Sequence, residues 1–253
     1  ATAFVTTVGL NVDDVVTTGT VTIDAEVTTL NIAGSNAAST INALTAVGAT
    51  TVNSTGSANV TVTGSTLTAV TDINVTGTGG FELGTAIGVA VDFDGGAGDD
   101  AVVLSAGFTA GITMGNGNDA ITWNGAGGTG GTADLGGGTA DTVKFVLSAD
   151  ATTASGSAAF NADFLNSERV EVTTLLTTTI DAVALGGANY VTLNGTNAAG
   201  VIDNLASGST VQLNDASTTV TANITNGLVS TGDVLNLVLS NDSAGAVAFG
   251  TIT

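Results

Sequence analysis

Apolar and polar residues alternate in short runs along most of the chain. Thr20-Val21-Thr22-Ile23 and Val60-Thr61-Val62-Thr63 have the period-two pattern of strands with one buried face. Val, Ile and Thr dominate these runs, and β-branched side chains fit a pleated surface better than a helix. Glycine recurs too often for long helices. Only Ser157 to Asn166, where Ala, Phe and Leu cluster without Gly, has a short helical pattern. The pattern predicts an all-β protein.

The apolar positions also repeat. One anchor per run gives Leu10, Leu30, Val52, Ile73, Phe93, Met114 and Leu135, separated by 20 to 22 residues. After a step of 37, Val172, Leu193, Leu213 and Leu235 continue at 20 to 22. A second series, Ile23, Ile41, Val62, Leu83, Val103, Trp123 and Phe145, lies about half a period later, with steps of 18 to 22. Two interleaved series sharing one period predict a parallel β-solenoid (β-roll or β-helix) of 20–22 residues and two strands per coil. Trp123 and Phe145 are expected core aromatics. The long step leaves room for an insertion. The expected organisation is N-terminal coils over 1–90, motif-bearing coils over 91–147, an insertion with a short helix over 148–166, and C-terminal coils over 167–253.

Three turns differ from the others. Gly95-Gly96-Ala97-Gly98-Asp99-Asp100-Ala101-Val102-Val103 matches the nonapeptide Gly-Gly-x-Gly-x-Asp-x-apolar-x throughout. Met114-Gly115-Asn116-Gly117-Asn118-Asp119 has Met114 where the first Gly belongs, and Gly136-Gly137-Gly138-Thr139-Ala140-Asp141 has Thr139 for the fourth-position Gly. The nonapeptide is the calcium-binding RTX repeat. Glycines let the backbone take positive φ so that carbonyls turn inward, and Asp supplies a hard anionic oxygen of the kind Ca2+ requires. The candidate ligands are Gly95, Ala97, Asp99 and Asp100 in the first turn, Gly115, Asn116, Asn118 and Asp119 in the second, and Gly136, Gly138 and Asp141 in the third. An ion between adjacent turns would join Asp100 to Asp119, and the next ion Asp119 to Asp141. Asp92, Asp94, Asp99, Asp100, Asp119, Asp134 and Asp141 all fall within about fifty residues, a density that a cation would relieve. Gly/Asp/Asn turns are also ordinary loop chemistry. Three copies in register favour calcium.

Charge and composition narrow the function. Among 253 residues, 22 carboxylates face only two basic side chains, for a net charge of −20. That field repels nucleic acid and anionic membranes and attracts multivalent cations. Without Cys there is no disulfide scaffold, thiolate zinc site or thiol catalysis, and without His the usual general base is missing. Mean hydropathy is +0.46, yet no run approaches the ~20 unbroken apolar residues of a membrane-spanning helix. Lys144, Arg169 and Tyr190 lie apart in sequence and share no visible constellation; Arg169 is expected to pair locally with Glu168 or Glu171. With so few proton-transfer groups, an enzyme is not expected.

The stretch Val27-Thr28-Thr29-Leu30-Asn31-Ile32-Ala33-Gly34-Ser35 through Ser39-Thr40-Ile41, Ala49-Thr50-Thr51-Val52-Asn53 and Thr71-Asp72-Ile73-Asn74-Val75 resembles the Thr/Ala/Gly-rich body of bacterial surface-layer proteins. With the Asp94 to Asp100 and Met114 to Asp119 turns added, the chain is similar to the RTX-type surface-layer proteins of Caulobacter and its relatives over residues 20 to 175. The resemblance implies type I secretion, folding on extracellular calcium and a two-dimensional lattice bridged by calcium. The family's lipopolysaccharide-binding region is not recognisable here.

The expected function is structural: a calcium-stabilised extracellular subunit or fragment of a self-assembling bacterial surface layer or filament. Its first partner is itself, and cell-surface polysaccharide or lipopolysaccharide would be met through regions outside this sequence. The alternative is a secreted RTX adhesin or spacer module that binds a cell surface or glycan. The first strands (Phe4-Val5-Thr6, Leu10-Asn11-Val12) and the last (Val247-Ala248-Phe249, Thr251-Ile252-Thr253) carry no Pro or Lys to blunt a sheet edge. Both ends are therefore expected to be covered by more polypeptide or by neighbouring subunits.

Overall fold

Strands one coil apart pair in parallel, and the pairing builds a β-solenoid. The computed structural model describes residues 4–125, 130–195, 198–214, 219–225, 232–240 and 251–252. The chain divides into two units, Ala1–Ile121 with Thr129–Thr139, and Thr122–Gly128 with Ala140–Thr253.

In the first unit, strands Thr7–Val12, Thr29–Gly34, Thr51–Gly56, Asp72–Val75, Asp92–Asp94, Gly111–Thr113 and Thr132–Asp134 stack in that order. Leu30 lies opposite Val52, and the same inward column continues through Ile73, Phe93, Ile112 and Ala133. All six are buried. A second sheet stacks Ser39–Ile41, Val60–Val62, Phe81–Ala86 and Ala101–Leu104, with Ile41, Val62, Leu83 and Val102 in register. The expected anchor Val103 points outward beside Val102. Leu10, Met114 and Leu135 differ by two residues from the column just described: Val8 pairs with Leu30, and Met114 and Leu135 follow Ile112 and Ala133. A two-residue shift keeps the same face, so these side chains still point inward.

The early coils add a third side, built by Thr20–Thr22, Ala43–Thr45 and Ser65–Thr66. Coil length explains where it stops. Successive partners Thr7, Thr29 and Thr51 are 22 residues apart, whereas Phe93 and Ile112 are 19 apart. The shorter coils have no residues to spare for a third strand.

Polar ladders run along the stack. The Thr28, Thr50 and Thr71 hydroxyls donate to the carbonyls of Thr6, Thr28 and Thr50, at 3.2, 3.2 and 3.3 Å. Asn53 Nδ2 donates to Asn31 Oδ1 at 2.8 Å, and Asn74 Nδ2 to Asn53 Oδ1 at 3.2 Å. A primary amide offers a donor on one side and an acceptor on the other, so one residue type can repeat this bond coil after coil.

The second unit stacks Thr142–Phe145, Arg169–Val172, Tyr190–Leu193, Thr210–Leu213 and Asn236–Leu239. Phe145 lies opposite Val172, and the column continues through Leu193, Leu213 and Leu239. This revises the anchor assignment. Val172, Leu193 and Leu213 continue the series that contains Phe145, and Leu239 rather than Leu235 takes the last position. A second sheet comprises Thr179–Asp181, Ala198–Leu205, Thr219–Ile224 and Thr251–Ile252. Helices Ser148–Ser155 and Ala158–Asp163 fill the segment between Phe145 and Arg169. They bury Ala151, Ala154 and Phe160. The Trp123 ring is fully buried and lies 6.0, 6.0 and 4.7 Å from the rings of Phe145, Phe160 and Phe164. Among the described residues, no helix is long and apolar enough to cross a membrane. The expected terminal strand Val247-Ala248-Phe249 and Thr253 lie outside the described residues.

Candidate metal centre

A polar residue stands immediately before each strand Ala101–Leu104 and Ala120–Trp123, and the backbone of the preceding coil holds it. Asp100 Oδ1 accepts from the Phe81 N–H at 2.6 Å and its Oδ2 from the Gly96 N–H at 2.8 Å. Asp119 Oδ1 accepts from the Asp100 N–H at 2.7 Å. Both carboxylates are 1% exposed. The turns therefore stack two buried aspartates on consecutive coils of the first unit. Beside them runs an exposed column: Asp99 Oδ1 accepts from the Asn118 N–H at 2.7 Å, and Asn118 Oδ1 from the Thr139 N–H at 3.4 Å.

The glycines shape the rest. Gly115, Gly117 and Gly136 have φ of +94°, +141° and +84°, a region closed to most side chains. A Cβ on Gly115 would fall 2.2 Å from Gly96 O and 2.9 Å from Gly95 O. One on Gly117 would fall 2.4 Å from Gly98 O and 3.0 Å from Asp119 Oδ1. Oxygens of the first two turns thus face small spaces that only glycine leaves open. Some of these carbonyls also serve the backbone ladder: Gly96 O accepts from Asn116 N–H at 2.9 Å, and Gly115 O from Gly137 N–H at 2.7 Å.

This donor set is all oxygen, which suits a hard cation such as Ca2+. Among the described residues, no three carboxylate side chains gather around one point, so an ion here would depend on backbone carbonyls as well as Asp100 and Asp119. Each carboxylate oxygen can accept more than the single N–H bond named above. Ala97 and Gly138 lie exposed on the outer side of their turns. Asp141 is buried in the second unit, where its own N–H donates to Glu168 Oε2 at 2.9 Å. Glu168 was not among the sequence candidates, yet it makes the same backward bond as Asp100 and Asp119. The signal was a polar residue immediately before a strand, one position ahead of Arg169.

Burial pushes the Asp100 carboxyl above its ordinary 3.8, and nearby Asp99 adds to the rise, while the Gly96 and Phe81 N–H bonds pull it down. The sign follows from linkage. A carboxyl whose pKa is raised in the folded state costs stability once pH climbs above its unfolded value, and that cost vanishes on acidification. In chelator, the first unit is therefore expected to unfold at a higher temperature near pH ~4.5 than near pH ~7. Thermal melts of Asp100→Asn should have a flatter pH profile than the unsubstituted chain. Identical profiles would refute the assignment.

The cationic residues depart from expectation. Lys144, not Arg169, pairs with Glu171, at 2.8 Å between Nζ and Oε1. Arg169 stacks instead over the Tyr190 ring, 4.6 Å from its centroid. Register steps of 27 and 21 residues bring together groups that the linear sequence separates.

No model of a known protein family matches the chain, and no curated protein matches it.

Proposed function

We propose that this chain is a non-catalytic extracellular structural protein, a calcium-stabilised subunit or fragment of a self-assembling bacterial surface layer or filament, delivered by type I secretion. The observation that carries this reading is the stacked pair of buried aspartates, Asp100 and Asp119, beside glycine-lined spaces faced by the carbonyls of Gly95, Gly96 and Gly98. Those groups would hold the ion. Bound calcium would neutralise two carboxylates that otherwise sit desolvated in a chain of net charge −20. Self-association draws support from strand Thr7–Val12, which has a neighbour on one side only among the described residues, close to exposed Phe4, Val5 and Val16.

Calcium removal is the test. A ligand that binds only the folded state stabilises it by about 2.7 kcal/mol at a hundred times its Kd. Chelation should lower the unfolding temperature of the first unit, and Asp119→Ala should abolish the calcium response. Thermal unfolding that ignores calcium overturns the metal assignment. Electron microscopy and sedimentation at high protein concentration in calcium address assembly. Ordered sheets or fibres are expected, whereas a stable monomer would make the chain a secreted adhesin or spacer module instead.

A further inference from the structure

The chain has one Lys, one Arg and one Tyr in 253 residues. All three occupy outward positions on adjacent strands of one sheet in the second unit. Arg169 lies in register with Tyr190, and Lys144 with Glu171, whose next partners are Thr192 and Gln212.

These side chains form a continuous polar circuit. Lys144 Nζ meets Glu171 Oε1 at 2.8 Å, and Asn194 Nδ2 donates to the same oxygen. Asn214 Nδ2 donates to Asn194 Oδ1 at 2.7 Å, and Gln212 Nε2 donates to Asn214 Oδ1. Tyr190 Oη donates to Gln212 Oε1, and its ring carries the Arg169 guanidinium. All are half-buried, so the circuit fixes orientations while leaving each group in reach of solvent.

The charge is unusual for this molecule. Within a chain of −20, this face carries both cations against a single carboxylate, Glu171. Glu171 is already engaged by Lys144 and Asn194. Glu168, at the near edge of the same strand, is turned to the Asp141 N–H. Arg169 has no ion pair among the described residues, and its planar fork of N–H donors matches a carboxylate. At physiological salt, charges more than about 8 Å away are largely screened, so the local excess governs what binds here.

We propose that this face binds an extended polysaccharide bearing carboxylate sugars. Arg169 receives a sugar carboxylate while stacked on Tyr190. Gln212, Asn194, Asn214 and Thr192 exchange hydrogen bonds with ring hydroxyls, for which amides and hydroxyls are both donors and acceptors. Strands spaced about 4.8 Å apart repeat these groups in line, which favours a linear ligand lying across them. Because the side chains are already held by one another, little ordering is needed on binding. The site lies wholly in the second unit and does not depend on the calcium assignment.

Calorimetric titration with a defined hyaluronan oligosaccharide, against a neutral cello-oligosaccharide of equal length, tests the proposal in the full chain. Binding of hyaluronan in preference to the neutral sugar is expected. Arg169→Ala should weaken it at least about tenfold, the loss of one charge-assisted hydrogen-bond pair. Arg169→Lys, which keeps the charge and loses the fork, should also weaken it and guards against a folding defect in the alanine variant. Asp119→Ala should bind normally, which separates this site from the metal centre. Absence of hyaluronan binding, equal binding of the neutral sugar, or full binding by folded Arg169→Lys and Arg169→Ala overturns the proposal.

Discussion

Trp123→Ala is expected to destabilise the second unit by about 3–5 kcal/mol, the range for removing a large buried aromatic. The indole is fully buried and touches three phenylalanine rings. Two of those rings, Phe160 and Phe164, come from the segment that leaves the coil after Phe145. The same two stack on each other at 4.7 Å. Removing Trp123 therefore opens a cavity and also frees the second helix, Ala158–Asp163, whose buried residue is Phe160. Urea titration followed by circular dichroism measures the loss. A cost under about 1 kcal/mol would mean that the helices do not belong to the core.

Gly136→Ala is the second large effect, and it strikes the backbone rather than a side chain. Gly136 has φ of +84°, and a Cβ there would fall 2.0 Å from Gly115 O and 3.0 Å from Gly115 N. Positive φ alone costs a non-glycine residue about 1–3 kcal/mol. The clash adds to this because the obstructing atoms are backbone already committed to the ladder, where Gly115 O accepts from the Gly137 N–H. Gly137→Ala is the control. Its Cβ would meet only the end of the exposed Asn116 side chain, at 3.0 Å, and the effect should stay within about 0.5 kcal/mol. Equal destabilisation by both substitutions would show that the turn geometry is misassigned.

The solenoid was legible because inward residues recur at one coil length with period two inside each run. That is why Leu30, Val52, Ile73 and Phe93 form one column as the spacing predicts. Val172 was assigned to the wrong series because spacing alone does not say which face a run occupies after an insertion. Phe145 and Val172 are 27 residues apart, and hydrogen bonding, not periodicity, pairs them. The third side of the early coils rests on strands of two or three residues, too short for an alternating pattern to stand out. At the candidate metal centre, the glycines and Asp100 and Asp119 were readable from the nonapeptide. Glu168 was not, since its role comes from the backbone N–H one coil earlier. Lys144, Arg169 and Tyr190 were hidden for a similar reason: neighbours across a parallel sheet are distant in sequence.

In the first unit, the bonds that hold one coil to the next all run along the stack, including the threonine and asparagine ladders, while the covalent chain runs around it. Tension on the chain ends therefore loads one coil boundary at a time. Each coil that peels away would release some twenty residues, roughly 70 Å of extended chain at 3.3–3.6 Å per residue. The stack would act as a shock absorber, yielding in equal lengths and dissipating work at each step while the coils behind it stay folded.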